Sequence, residues 1–322
     1  MALARDGTQH YWNGTASRTP PQAGRDTWQA FKALAGFPRQ SVIDQALLQM
    51  FTVDLDSSDQ ANTTGGISIG GQTLATLEKP EAEFLAEHQL HFLRAAADLR
   101  GDRMAEIVTE TTDLMSFFGM VGYLSEEATK WTLWVANAAW RLANNLEMPL
   151  KLGFDVPRPI TMSYEVQPCI QTPGHGAWPS GHATESFALA TVLTRLVYPG
   201  AFDPKAAITA QNELYRHAAR IAMNRTVAGV HYPSDSMAGA VLGITMAEAL
   251  VNLLDGKPAT PQRTYHGASY AGDFNLTLLA EALDYDAIIG TGSTDLSGVT
   301  APAWMAHMWA DALKEWTPGT GG

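Results

Sequence analysis

The feature that most constrains the fold is an apolar stretch in the C-terminal half of the chain, residues 237–254. An uncharged run of about 18 or more apolar residues would predict a transmembrane helix. Glu248 places a charge inside this stretch. The stretch therefore predicts a helix buried in the core of a soluble protein, and we expect no segment of the chain to span a membrane.

Most other long segments also show the apolar spacing of helices. Helices are predicted over residues 27–37, 41–51, 80–99, 103–119, 125–146, 182–197, 204–223, 236–254, 274–283 and 302–316. Residues 54–76 are polar and Gly-rich, which predicts a loop with room for a small hairpin. Other strand signals are sparse. The sequence thus predicts a mainly α fold, a helical bundle, with an irregular N-terminal arm over residues 1–25 and a single all-α domain over residues 26–322.

Charge and cysteine content limit the partners and the compartment. The net charge of -12 argues against nucleic acid as a partner, because a phosphate backbone needs a basic surface. A small anion is still compatible with a local basic cluster. Cys169 is the one cysteine, so no intrachain disulfide can form. The first 18 residues show no apolar signal segment, which favours the cytoplasm, with export after removal of a signal peptide as the alternative.

Three short segments carry the candidate chemistry: residues 151–159, 179–182 and 225–235. The first opens a stretch, residues 151–178, that holds four prolines and three glycines and is predicted to be an extended loop. The second lies where this loop enters the helix predicted over residues 182–197.

The charged and small residues of these segments suit a multiply charged oxyanion. Lys151, Arg158 and Arg225 supply three positive charges, and the two guanidinium groups are fork-shaped donors. Ser180 and Gly181 stand at the start of a predicted helix, where free backbone N–H groups and the helix dipole favour an anion. Together these residues predict a pocket for phosphate or vanadate.

Two histidines complete this predicted pocket. His182 and His231 can divide the work, one bonding the central atom of the oxyanion and the other moving protons. Asp235 lies four residues after His231, so in a helix-like turn it can hold the second ring nitrogen, and it is also a good N-cap for the following helix. Taken singly, each of these residues is more often a surface charge, a loop histidine or a helix cap. Their joint occurrence is what predicts a site.

The three segments resemble the signature of the type-2 phosphatidic acid phosphatase superfamily, which includes acid phosphatases, lipid phosphatases and vanadium-dependent haloperoxidases. In this pattern a lysine precedes Arg-Pro by seven residues, Pro-Ser-Gly-His follows, and Ser-Arg precedes a histidine and an aspartate. One position departs from it, because Asn224 stands where the family usually has serine. The resemblance covers residues 151–235 directly, and the N-terminal 150 residues are matched only by architecture.

The resemblance implies a role for each matching residue. The oxyanion's oxygens would be bound by Lys151, Arg158, Ser180, Gly181 and Arg225. His231 would bond the central atom, which in a haloperoxidase is vanadium, and His182 would be the acid–base group. Lys151 would also act in catalysis by polarising a bound peroxide. In a phosphatase the same His231 would attack phosphorus, and Asp235 would orient it.

Between these two chemistries the sequence favours a vanadium-dependent haloperoxidase, which oxidises bromide or iodide with hydrogen peroxide to a hypohalous-acid-like halogenating agent. A long helical region precedes the motifs, as in the haloperoxidases. His175, seven residues before His182, occupies a position that resembles a halide-selectivity marker, histidine in the bromide-oxidising enzymes. Trp178 would line the pocket or pack under the loop. The alternatives are an acid phosphatase that forms a phosphohistidine, and a non-catalytic oxyanion-binding protein.

This interpretation names the partners. The cofactor would be vanadate, and the reactants would be hydrogen peroxide, a halide and a small organic acceptor. If the protein is a phosphatase, no cofactor is needed and phosphate is part of the substrate. Because the chain is helical and rich in aromatic residues, and related proteins associate, we expect a homodimer or a higher homo-oligomer.

Overall fold

Helices dominate the computed structural model, which describes residues 25–55, 63–198 and 200–317. They are α1 (Thr27–Lys32), α2 (Gly36–Met50), α3 (Ala82–His88), α4 (Leu90–Ala96), α5 (Arg100–Thr109), α6 (Met115–Phe118), α7 (Lys130–Phe154), α8 (Pro159–Met162), α9 (Gly181–Val197), α10 (Pro204–Thr209), α11 (Glu213–Val227), α12 (Pro233–Leu254), α13 (Leu276–Leu283) and α14 (Ala303–Lys314). The mainly α fold class is confirmed. Apart from Arg25, the predicted N-terminal arm lies outside the described residues, and the single domain over residues 26–322 stays a prediction.

The apolar stretch forms α12, the central helix of the fold. By length and composition α12 could cross a membrane, but 89% of its most apolar 18-residue window is buried inside the protein. It packs most extensively against α9, which also contacts α7 and α11. The charge within it is neutralised, because Glu248 forms an ion pair of 2.7 Å with Arg263. The helix is thus enclosed by protein, as an apolar helix in the core must be.

Two glycines of α12 allow α9 to approach closely. A side chain at Gly239 would overlap the carbonyl oxygen of Ser180, and one at Gly243 would overlap that of Thr184. The backbone N–H of Ser180 also donates to the carbonyl oxygen of Asp235 at 2.9 Å. The N-terminal ends of α9 and α12 therefore meet, which brings residues 179–182 next to residues 225–235.

A five-stranded sheet corrects the expectation of an all-α domain with sparse strands. Its strands, in spatial order, are β1 (Phe51–Leu55), β2 (Thr64–Ile69), β3 (Gln72–Glu78), β4 (Ala259–Tyr265) and β5 (Ile289–Asp295). The β2–β3 hairpin lies partly within the predicted hairpin region. β3 and β4 pair in parallel, with Ala75 opposite Arg263, and the other neighbours are antiparallel. Pro261 in β4 and Gly292 in β5 interrupt the alternation from which strands are predicted.

Helix boundaries also differ from the predicted ones. The predicted loop over residues 151–178 begins inside α7, which continues to Phe154 and contains Pro149. The loop also includes the one-turn helix α8, so it is not wholly extended. Three predicted helices, over residues 80–99, 103–119 and 204–223, are each divided into shorter helices. The first of these differences matters for the site, because it places Lys151 on a rigid helix.

Candidate active site

Lys151 lies in the last turn of α7 with its side chain buried. Its ammonium group donates to the backbone carbonyl of Pro179 and, at 3.4 Å, to that of Ala177. Burial lowers the pKa of Lys151 to about 8, although the nearby Glu147 carboxyl acts in the opposite direction. The lysine therefore ties the end of α7 to the turn that precedes α9.

Arg158 connects the long loop to the start of α12. Its Nη1 donates to the carbonyl of Val230 at 2.8 Å and lies 3.0 Å from Nε2 of His231. Its Nε donates to the carbonyl of His175 at 3.0 Å, and its Nη2 lies 3.1 Å from Nδ1 of the same histidine. The guanidinium group is nearly fully buried and is held in one orientation between the two imidazoles.

The N-terminus of α9 presents Ser180, Gly181 and His182. The hydroxyl of Ser180 is buried with no hydrogen-bond partner among the described residues. Nε2 of His182 lies 2.9 Å from the carbonyl of Glu110. Because a carbonyl only accepts, this nitrogen carries the proton and Nδ1 is left as an acceptor. Burial, reinforced by the Arg225 charge, lowers the pKa of His182 to about 3, so its imidazole is neutral near pH 7.

His231 is oriented by Asp235, which lies in the first turn of α12. Nδ1 of His231 lies 2.9 Å from the Asp235 carboxylate, which also accepts from the backbone N–H of Tyr232 at 3.0 Å. Burial, followed by the nearby Arg158 and Lys151 charges, lowers the pKa of His231 well below its usual value. The neutral ring therefore holds its proton on Nδ1 and directs the lone pair of Nε2 away from Asp235.

Arg225 is only partly satisfied by protein groups. Its Nη2 forms an ion pair with Glu110 and donates to the carbonyl of Ile107 at 3.2 Å. Its Nε and Nη1 are buried without a partner among the described residues. Asn224 supports this pair, since its amide donates to the other Glu110 oxygen at 2.7 Å. The residue that departs from the motif thus orients the acid that holds Arg225.

These side chains surround a cavity of about 290 Å³. The predicted site residues that line it are Lys151, Arg158, His175, Gly181, His182, Arg225 and His231. Ser180 is the residue that precedes α9, and Asp235 lies behind His231. Trp178 is not among the lining residues, because its ring packs 4.9 Å from Phe154 and 6.3 Å from Tyr265, measured between ring centroids. It therefore packs under the loop, the second of its two predicted positions.

Comparison with known proteins shows what this part of the chain is similar to. Residues 131–257 match the PAP2 superfamily. A 94-residue segment is 32% identical to the vanadium-dependent bromoperoxidase of Ascophyllum nodosum. This match covers 23% of the chain and only 17% of the length of that relative. The cavity lies mostly within the matched residues 131–257, with Glu110, Thr111, Thr112 and Leu114 contributed by the region that precedes them.

The sequence motifs do not include three acids that line the cavity: Glu110, Glu147 and Glu185. Glu110 lies outside the motifs, and nothing in its local sequence distinguishes it. Glu147 lies one helical turn before Lys151, a spacing that places both on one face of α7 and could have signalled it. Glu185 stands three residues after His182, near the start of α9, where the sequence predicts an ordinary helix-terminus acid. It is instead buried, and Asn144 donates to it at 3.4 Å.

The unpaired groups of the cavity fit an oxyanion. The described residues contain no cluster of three or more His, Cys, Asp or Glu side chains that could hold a metal cation. Two Arg225 nitrogens and the Ser180 hydroxyl are buried and lack partners. Buried polar groups of this kind are costly unless a ligand satisfies them. A tetrahedral anion such as phosphate or vanadate would accept from both residues and meet the lone pair of His231.

Proposed function

We propose that this protein is a vanadium-dependent haloperoxidase that oxidises bromide or iodide with hydrogen peroxide. The observation that carries this proposal is the position of His175. Its imidazole lines the oxyanion cavity, 3.1 Å from a guanidinium nitrogen of Arg158. The similarity of 94 residues to a vanadium-dependent bromoperoxidase supports the same chemistry. A small organic acceptor of the oxidised halogen completes the set of reactants.

The residues of the cavity would hold vanadate in two ways, by a bond from a histidine nitrogen to vanadium and by positive charges and hydrogen bonds to its oxygens. Nε2 of His231 would bond the vanadium atom, because Asp235 fixes the proton on the opposite nitrogen. Arg158, Arg225 and Lys151 would bind its oxygens, with the hydroxyl of Ser180 as a further donor. Bound vanadate supplies a Lewis acid that activates peroxide toward halide without a change of oxidation state.

His182 would be the acid–base group of this chemistry. Its proton lies on Nε2, so Nδ1 is available as an acceptor. Burial and the Arg225 charge lower its pKa to about 3, and the negative charge of a bound oxyanion would raise this pKa toward the range in which a general base works best. We therefore assign His182 as the base that would accept the peroxide proton; in a phosphatase the same residue would protonate the leaving alcohol.

His175 would shape the halide side of the cavity. Burial, with the Lys151 charge, lowers the pKa of His175, so its ring is neutral near pH 7. Its Nδ1 faces Arg158, and its own backbone carbonyl accepts from the same guanidinium. A polar ring held this firmly would favour bromide over chloride, as the resemblance implies.

A phosphatase is the second candidate, favoured by the hydrogen bond between His231 and Asp235. That bond holds the proton on Nδ1, so Nε2 of His231, which faces Arg158 at 3.0 Å, would be the nitrogen that attacks phosphorus to form a phosphohistidine. The pocket would then bind the phosphate of a substrate monoester, and no cofactor would be needed.

One pair of assays separates the two candidates. Bromide- and peroxide-dependent bromination is measured after preincubation with orthovanadate, and phosphate-ester hydrolysis is measured without vanadate. Vanadate-dependent bromination with weak hydrolysis would support the haloperoxidase. Strong hydrolysis that vanadate inhibits, without bromination, would overturn it in favour of the phosphatase. Failure of both reactions, with phosphate still bound, would favour a non-catalytic oxyanion-binding protein. The cytoplasmic location and the homo-oligomeric state stay predictions.

A further inference from the structure

Glu147 is an unexpected group in a pocket for an anion. It lies on α7 one turn before Lys151, lines the cavity and is 1% exposed. Its Oε2 has no hydrogen-bond partner among the described residues. Its carboxyl group also fills the space beside Gly181, where any side chain would overlap it. The glycine at the start of α9 therefore makes room for a carboxyl group as well as for an anion.

The charges around Glu147 come from three elements. Lys151 shares its helix, Glu185 faces it from α9, and Arg158 faces it from the long loop. Burial first, and then repulsion from Glu185, raise the pKa of Glu147 well above its usual value, against the opposing effect of Lys151. Across the cavity stand His182, His231 and the Arg225–Glu110 pair. An oxyanion that enters this cavity brings a second acceptor close to the carboxyl oxygens.

Two facing acceptors repel each other unless a proton lies between them. We propose that Glu147 selects the oxyanion by its proton: its free carboxyl oxygen shares one proton with a hydroxyl of the bound anion, so the pocket prefers phosphate and vanadate to sulfate. This rests on the proposed oxyanion site, and it adds a specificity determinant outside the three motifs.

Hydrogen phosphate and sulfate are the probes that test whether the O–H group of the anion matters. At alkaline pH both are tetrahedral dianions of similar size, but only hydrogen phosphate carries an O–H group. An ionised Glu147 accepts from that O–H, whereas a sulfate oxygen faces it with no proton between. When Glu147 is itself protonated, it donates to either anion. Discrimination between the two anions must therefore grow with pH as Glu147 loses its proton.

The test measures the dissociation constants of phosphate and sulfate for the wild-type protein by calorimetry at about pH 6 and about pH 9. At the higher pH the wild type should bind phosphate at least about tenfold more tightly than sulfate, the value of one hydrogen bond to a charged group. Glu147→Gln should lose most of this preference at about pH 9, because its amide donates to either anion, and its ratio should not change with pH. These dissociation constants are measured without any catalytic reaction and without vanadate.

Glu185→Gln is the matched control, since it removes a second buried acid whose carboxyl already accepts from Asn144. It should tighten or leave unchanged the binding of both anions, and at about pH 9 it should keep a preference for phosphate at least as large as that of the wild type, because loss of the Glu185 charge eases the ionisation of Glu147. A melting curve checks that each variant is folded. If Glu147→Gln fails to fold, the wild-type protein still tests the proposal, because its preference for phosphate over sulfate should increase with pH.

The outcomes separate this proposal from the proposed function. If the wild type binds neither anion, the oxyanion site itself is wrong and both proposals fall. If it binds phosphate and sulfate equally at about pH 9, or if Glu147→Gln keeps the wild-type ratio, the role of Glu147 is wrong while the oxyanion site stands.

Discussion

Glu248 and Glu147 are both buried carboxyl groups on long helices, but they lie in regions of opposite character. Glu248, on α12, meets the guanidinium of Arg263 from β4 at 2.7 Å. Glu147, on α7, has no ion pair among the described residues, and its neighbour is a second acid, Glu185. Burial raises the pKa of both acids, but Arg263 lowers that of Glu248 whereas Glu185 raises that of Glu147 further.

The difference shows how the molecule separates stability from binding. Between α12 and the sheet, the charge introduced into an apolar helix is neutralised by protein. Around the cavity, Arg225, Ser180 and Glu147 keep buried atoms that no described protein group satisfies. Such atoms destabilise the empty protein and are retained where a ligand will meet them. The first region should therefore respond to mutation in its stability and the second in its binding.

The largest expected effect comes from removing His231, the group proposed to bond vanadium. His231→Ala should lose vanadate retention, and halide oxidation should fall by about a thousandfold or more. Equilibrium dialysis with vanadium analysis measures the first effect, and a bromination assay measures the second. His182→Ala is the matched control, since it should keep vanadate but lose turnover. Normal vanadate affinity in His231→Ala would contradict the assignment, and full activity in His182→Ala would contradict the base.

The second-largest effect concerns stability and the ion pair between Glu248 and Arg263. Arg263→Met should lower the free energy of unfolding by about 3–5 kcal/mol, because it leaves Glu248 buried without its partner. Glu147→Gln should change it by less than about 1 kcal/mol, because an amide replaces a carboxyl that burial already keeps from ionising easily. Urea denaturation at neutral pH measures both. If both variants lost the same free energy of unfolding, the ion pair of Glu248 would contribute no more to stability than the carboxyl group of Glu147.

The parts of the site that the sequence predicted are those whose geometry is local. Ser180 and Gly181 begin a helix because a proline-rich loop ends there, and His231 and Asp235 are four residues apart across the start of α12. Short spacings of this kind fix which side chains share a face or a helix end. The structure brings most of the predicted residues to one cavity, with Ser180 and Asp235 beside it and Trp178 packed beneath the loop. That this cavity binds an oxyanion stays a prediction.

The parts that could not be predicted depend on distant segments. Glu110 reaches Arg225 across 115 residues of sequence. β4 and β5 join the sheet through the pairing of β3 with β4, and Ala75 and Arg263 are 188 residues apart. Neither local charge nor local alternation marks such contacts, because their stability comes from packing that only the complete fold provides. The spacing of Glu147 and Lys151 is the one local signal that we missed.

The third effect is a pH dependence that arises within the cavity. His182 has a folded-state pKa of about 3 against an ordinary value of 6.5, so the unfolded chain takes up its proton first. Its contribution to stability is complete above about pH 6.5 and is lost as the pH falls toward 3, at up to about 1.4 kcal/mol per pH unit. His182→Asn should therefore lose stability less steeply than the wild type between about pH 6.5 and 4.5. Parallel unfolding curves in urea would refute the shift.

The smallest effect should come from His175, which we place beside the oxyanion and outside its bonding groups. His175→Phe removes the ring nitrogen 3.1 Å from Arg158 but keeps the backbone carbonyl that accepts from the same guanidinium at 3.0 Å. Phosphate binding should therefore change little, whereas the ratio of bromide to chloride oxidation should fall by about tenfold, the value of one polar contact. Competition between the two halides measures that ratio, and phosphate affinity serves as the control. An unchanged ratio with intact phosphate binding would reduce His175 to a support for Arg158. A loss of both would instead place this ring among the groups that form the oxyanion site, and the boundary drawn here between binding and selectivity would move outward to include it.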